Sequence, residues 1–441
     1  MKYFVRGPRA LPFLVSIFIA ALAFAGCAYA LVHNGQLNQA KADQIESGIQ
    51  EIRQLKFTAK VPVVVKDSNQ VSEMMASDLA QDYSDERLRL DGTAGILVGL
   101  FPMRFDLKSE TLKLLKNQVA GFYDPHGKEM VLVEGGVDIG FLYNTAQLMI
   151  QRDVVGEMLL AHELTHALQD QHFEIDKRLD ALKENDDRLL ALKSVAEGDA
   201  TIAGFAYTAG AMSNETADKL IDNIDEIPQA FAAQTPGAPE GLSVPLLFQY
   251  TQGARFVREA YRRGGWAAVD ALYRDPPQSS HQVMHSEFYF GHRVDPAKIS
   301  IDGYQHIMVR WTKGDDDSYG ELLLRVILER GLGKNAPELA IARQWSGDRM
   351  IILQQGRAVT VIWMLSFSDA QAASHFAAVY SSILDRLLGS SAAHRVDYQC
   401  NAALVIVGEG ANYFNALAPA IWGHSSIDGH PAVAPGIHQT H

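Results

Sequence analysis

The stretch MLLAHELTHAL, residues 158–168, constrains this chain more than any other. His162 and His166 stand four residues apart inside an apolar run. On a helix, residues at that spacing project from one face, one turn apart. Val154, Val155, Met158, Leu159, Ala161, Leu164 and Leu168 give the expected helix, Asp153 to Phe173, a broad apolar surface. Such a helix packs into the fold, and buried histidines need partners.

The pair belongs to the pattern H-E-x-x-H, with Glu163 between the histidines. Two imidazoles one turn apart can share a metal ion, and the glutamate lies to one side, within reach of a water. Zinc lowers the pKa of that water to about 7, and a carboxylate can take its proton as it attacks a carbonyl. The ion also polarises the carbonyl, stabilising the charge that develops on its oxygen. We therefore expect Zn2+ as cofactor, His162 and His166 as ligands and Glu163 as catalytic base. A solvated helix with two surface histidines is the competing reading, and the apolar flanks argue against it.

The third ligand is ambiguous. His172 lies six residues after His166, the spacing of the third histidine in H-E-x-x-H-x-x-G-x-x-H. There a glycine lets the chain leave the helix sharply. Gln169 occupies that position here and continues a helix readily. If the helix continues, His172 points about 240° round from His166. The alternative is a glutamate from the next helix, and Glu197, in LLALKSVAEGDAT, is the candidate. Small neighbours (Ala196, Gly198, Ala200) would allow close packing, and a carboxylate in an apolar run needs a partner. A helix-terminal acid in solvent is the other reading of Glu197. Glu184, Asp186 and Asp187 sit in KENDD, which reads as a solvated turn. Asp199 is a candidate for orienting a ligand histidine, although Thr201 holds the place where such an aspartate is often found.

Metal ligands must be histidine and carboxylate, because Cys27 and Cys400 are the only cysteines. Cys400, in an apolar stretch, reads as a buried small residue. The formal charge of −13 gives no electrostatic footprint for nucleic acid. Lys2, Arg6 and Arg9 precede an uncharged run from Ala10 to Val32, about 23 residues, enough to cross a bilayer. Ala23-Phe24-Ala25 fits a signal cleavage site, and Phe24-Ala25-Gly26-Cys27 resembles a lipobox that would lipidate Cys27. Each of these readings exports the rest of the chain to the cell envelope.

The organisation expected is α+β. Residues 1–32 form the export signal or membrane anchor, 33–300 a domain carrying the histidine helix, and 301–441 a smaller α+β domain with a flexible tail. Phe57 to Val65 reads as a strand. Val119 to Tyr123 and Glu129 to Val133 flank the turn Asp124-Pro125-His126-Gly127 and read as a hairpin. A second helix covers Asp186 to about Ala196, with a separate apolar segment following to Met212. The helix Arg255 to Tyr273 is interrupted at Gly264-Gly265. Met350 to Leu365 forms a hairpin turning near Gly356, and Ala403 to Val407 gives another strand. Asp315-Asp316-Asp317 lacks the alternating spacing of calcium ligands and reads as a solvated turn. The tail histidines His424, His430, His438 and His441 lie in a flexible end.

HELTHALQDQHF followed by AEGDAT, and preceded by QVAGFYDP, resembles a family of exported or lipoprotein-like bacterial proteins regarded as zinc metallopeptidases of the gluzincin type. The similarity extends through GGWAAVDALYRDPPQSSHQVMHSEFY, YGELLLR and QWSGDRMIIL, from about Leu55 onward. The resemblance implies His162, His166 and Glu197 as ligands and Glu163 as base. It implies a zincin-like fold, a twisted sheet packed on the H-E-x-x-H helix, whose edge strand, from the hairpin at Val119 to Val133, would line the substrate groove. A protein or peptide substrate would add to that edge as a further strand. An oxyanion donor must come from outside the metal ligands. His285 and Tyr289, in HQVMHSEFYF, are the candidates, and His281 reads as a loop residue. The activity expected is that of an envelope-anchored zinc metallopeptidase. The alternatives are a zincin-fold protein whose structural zinc supports partner binding or assembly, and a cell-wall amidase.

Overall fold

The computed structural model describes residues 31–33, 36–116, 121–134, 153–389 and 392–432. Nearly all of the expected export segment lies outside these residues, as do Val119, Ala120, His438 and His441. No described helix is long and apolar enough to cross a membrane. The architecture is α+β. Contacts divide the chain into two compact units. One comprises Met1–Glu73, Val119–His172 and Ala200–Ala217, and the other Met74–Gln118, Phe173–Asp199 and Asp218–His441.

In the first unit, helix α1 (Gln39–Arg53) starts where the Asn38 side chain accepts the Lys41 amide at 3.2 Å. It buries Ala42, Ile45 and Ile49, a stripe at helical spacing. Strands β1 (Val63–Lys66), β2 (Gly121–Asp124) and β3 (Glu129–Val133) form a sheet in the order β1-β3-β2. β2 and β3 are the expected hairpin, antiparallel, with Tyr123 opposite Met130; β1 is parallel to β3. The strand expected over Phe57 to Val65 is confined to β1. Upstream, the Thr58 and Ala59 amides donate instead to Gln171 Oε1, at 2.7 and 3.2 Å, and Pro62 has no amide hydrogen to give.

Helix α2 (Val154–Phe173) runs unbroken through Gln169 and His172. Helix α3 (Asp186–Ala209) is likewise continuous, where two segments were expected. The division between the units passes through α3, after Asp199. Within the first unit α3 packs on α2 at Gly204, where an added Cβ would lie 2.9 Å from the Met158 carbonyl oxygen. A side chain there would push the helices apart.

The second unit is built on an antiparallel sheet of β4 (Thr312–Asp317), β5 (Trp345–Gln355), β6 (Ala358–Phe367), β7 (His394–Gln399) and β8 (Ala402–Gly408), ordered β7-β8-β6-β5-β4. Its central strands are apolar on both faces. Met350, Ile352, Val361, Trp363, Val405 and Val407 join one core with helices α6 (Gly320–Leu332) and α7 (Ala370–Leu388). Ile351, Leu353, Ile362, Met364, Leu404 and Ile406 join another with Leu417, Ile421 and Trp422. Double-sided burial explains why these strands read as continuous apolar runs. The long helix α4 (Glu240–Arg274) breaks at Gly264 and Gly265, as expected; Gly265 takes φ 62°.

The structure overturns four readings of the sequence. Asp315 and Asp317 lie in β4 and are buried, and Asp315 pairs with Arg87 at 2.5 Å. Asp187 is buried, its carboxylate accepting the Ser280 amide at 2.9 Å. Both were locally polar sequences whose partners are distant in the chain. Cys400 is exposed, at the β7–β8 turn with φ 49°, because the apolar run it precedes starts only at Ala402. Of the tail histidines, His424 lies on a helix, its Nδ1 bonded to the Ala420 carbonyl at 2.8 Å, and His430 lies in a short strand.

Candidate metal centres

The first centre starts from the helix period. His162 and His166 project from one face of α2, with Nε2 atoms 3.1 Å apart and ring centroids 4.8 Å apart. Ligand atoms about 2.0–2.1 Å from a tetrahedral zinc lie about 3.3 Å from each other, so the pair already has the spacing of two ligands. Glu197 completes the group: the ligand atoms of His162, His166 and Glu197 all lie within 4.8 Å of one another. On α3, a Cβ added at Gly204 would lie 3.3 Å from the His162 amide nitrogen. The Thr201 hydroxyl, one turn beyond Glu197, is buried without a hydrogen-bond partner among the described residues.

Gln169 orients His166. It is fully buried, and its Oε1 accepts the His166 Nδ1 proton at 2.9 Å. With the proton on Nδ1, the Nε2 lone pair faces His162, as metal ligation requires. The donor set of two imidazoles and one carboxylate is a zinc-type set. His172, three residues beyond Gln169, carries its ring away with the helix, and its Nε2 bonds to the Lys56 carbonyl at 2.7 Å.

Glu163 faces the hairpin. Its Oε2 accepts the Tyr123 amide of strand β2 at 3.0 Å. Asp170 is two turns along the same face of α2. It accepts the Tyr123 hydroxyl at 3.0 Å and the Lys128 ammonium at 2.6 Å. The helix thus grips the hairpin at β2 and at its turn. β2 is the edge of its sheet, and the Tyr123 amide points away from β3 towards the helix.

His285 is placed in a second group, with His281 and Glu321, whose ligand atoms also lie within 4.8 Å of one another. His281 Nδ1 is 2.5 Å and His285 Nε2 3.0 Å from Glu321 Oε2. Burial alone would raise the Glu321 carboxyl, but hydrogen bonds from His281 and His285 outweigh it and hold it below the usual glutamate range. Two His/Glu groups able to bind a metal ion are therefore present among the described residues. The His281–His285 spacing repeats that of His162–His166 and was visible in the sequence; Glu321, 36 residues on, had no local signal. The half-buried Tyr289 donates its hydroxyl proton to the Asp275 carbonyl, and burial pushes its phenol up to about 12. Asp199 accepts the Tyr273 hydroxyl at 2.7 Å.

Residues 308–420 match a family described as a domain of unknown function (DUF8575). The matched stretch covers the five-stranded sheet and includes Glu321, but neither His162, His166 nor Glu197. No curated protein matches the chain. Among solved structures, the chain is similar to one from Chloroflexus aurantiacus described as "a putative hydrolase with a novel fold". That likeness has 18% identity and a TM-score of 0.35, over 60% of this chain and 93% of the other. A score at that level transfers neither fold nor function, so the chemistry rests on the residues described above.

Proposed function

We propose that this protein is a zinc-dependent metallopeptidase of zincin-like fold that hydrolyses peptide bonds, anchored in the cell envelope by its N-terminal segment. The reading is carried by one observation: the His162–His166 pair, completed by Glu197, lies on a helix whose Glu163 meets an edge strand. A zinc ion held by those three ligands would lower the pKa of water and polarise a carbonyl.

The remaining steps belong to the chain. The Glu163 carboxylate takes the proton of the attacking water and returns it to the leaving amine. Its Oε2 is held by the Tyr123 amide, which aims the carboxylate and links it to the strand where substrate docks. A peptide adding to β2 would run alongside Glu163 and set the scissile carbonyl against the metal ligands. Gln169 keeps His166 in the ligating tautomer. The envelope location rests on the basic start and apolar run of residues 2–32.

The test is cleavage of a broad peptide library by the purified protein. We expect cleavage that a chelator stops and added zinc restores. No cleavage of any peptide by zinc-loaded, folded protein would favour the partner-binding alternative.

A further inference from the structure

The second histidine–glutamate group is built as carefully as the first. Helix α5 (Ser280–Met284) carries His281 and ends at His285, and the two ring centroids are 4.8 Å apart, as in the first centre. His281 stacks on Phe288 at 4.9 Å. The side chains of His281, His285 and Glu321 are only 10%, 15% and 2% exposed. The elements that carry them are locked together. The Leu322 amide donates to Ser280 Oγ at 3.3 Å, joining α5 to the first turn of α6. Asp348 accepts the Tyr319 and Gly320 amides, both at 2.9 Å, and the Trp345 and Trp363 indoles at 3.1 and 2.8 Å. That turn fixes Glu321.

Charge is the second observation. Asp187, Glu321 and Asp348 are all buried in this part of the second unit. Their hydrogen-bond donors are amides, a serine hydroxyl, indoles and imidazoles; among the described residues no lysine or arginine pairs with any of the three. Buried carboxylates are costly unless a cation or a proton compensates them. A divalent ion between His281, His285 and Glu321 would supply positive charge where their three ligand atoms converge.

We propose that His281 Nδ1, His285 Nε2 and the Glu321 carboxylate hold a second divalent ion, of the zinc class, which ties α5 to the start of α6. Two imidazoles with one carboxylate select a zinc-like ion over calcium or magnesium, which take oxygen ligands. The role is structural: the ion bridges two buried segments. The proposal is independent of the hydrolase reading, because it concerns different ligands and is read by metal content.

The test uses the full chain, stripped with a chelator and titrated with zinc against a chromophoric competitor. The wild type should take up two zinc equivalents. Glu321→Gln should take up one, and so should the double variant His162→Ala/His166→Ala. Zinc should raise the Tm of that double variant and leave unchanged the Tm of the triple variant that adds Glu321→Gln. A folded Glu321→Gln protein that still binds two equivalents would overturn the proposal. If Glu321→Gln does not fold, the double variant decides: one equivalent with a raised Tm supports the second site, and no bound zinc overturns it.

Discussion

Gln169 Oε1 accepts the Nδ1 proton of His166 at 2.9 Å, at the position that holds the helix-breaking glycine in the pattern H-E-x-x-H-x-x-G-x-x-H. One residue thus does two things. It continues α2, which carries His172 away from His162 and His166, and it sets the tautomer of His166. Gln169→Leu keeps the helix and removes the acceptor. We expect zinc affinity at the first centre to fall about 10–100-fold, as for loss of other groups that orient a ligand. Competition titration with a chromophoric chelator checks this, and unchanged affinity would deny Gln169 that role.

Third-ligand assignment separates Glu197 from His172. Glu197→Ala should release the ion of the first centre, whereas His172→Ala should retain it, since the His172 ring is engaged with the Lys56 carbonyl. Zinc content of the two purified variants is the measurement. Loss of metal from the histidine variant alone would reverse the assignment.

Asp187 sets a pH dependence of stability. Its burial, ahead of the influence of Asp348 and Glu321, pushes its carboxyl up to about 7. An acid whose folded pKa is raised favours the folded state fully only below the ordinary carboxyl range. That contribution is lost as pH rises from about 4 through 7. For metal-stripped protein, unfolding stability should therefore fall over that window, and Asp187→Asn should flatten the fall by roughly 2–4 kcal/mol. Denaturant unfolding at several pH values reads this directly. Identical slopes in the two proteins would contradict it.

Trp363 anchors the five-stranded sheet. It is fully buried in the core beside α6 and α7, and its indole donates to Asp348 at 2.8 Å. Trp363→Ala should destabilise the protein by about 3–5 kcal/mol, from lost burial and the cavity left behind. It also removes one of the four donors to Asp348. Thermal unfolding checks it, and a loss below about 1 kcal/mol would contradict this packing.

What the sequence made legible was local. The spacing of His162 and His166 depends only on the helix period, and the turn at Asp124 to Gly127 only on its own residues. The interruption at Gly264 and Gly265 was readable for the same reason. What stayed hidden depends on distant partners. Asp187 and Asp315 looked solvated because Ser280 and Arg87, which receive them, lie far along the chain. Gln169 was readable as a residue that continues the helix, but its bond to His166 needed side-chain geometry. β7, HRVDYQ, was not anticipated because an edge strand of alternating polarity carries little apolar signal. His285 was read as an oxyanion donor, whereas Glu321, the residue that gives it a metal-type environment, was invisible before α6 was placed.

The most direct measurement is paired zinc content and peptide cleavage of Glu163→Gln. Glu163 is not among the ligands of the first centre, and its carboxylate faces the Tyr123 amide of the edge strand. Glutamine preserves the shape and removes the base. Zinc should be retained at the wild-type level while cleavage is lost, by about 100-fold or more. Cleavage at the wild-type rate in the zinc-loaded variant would contradict it.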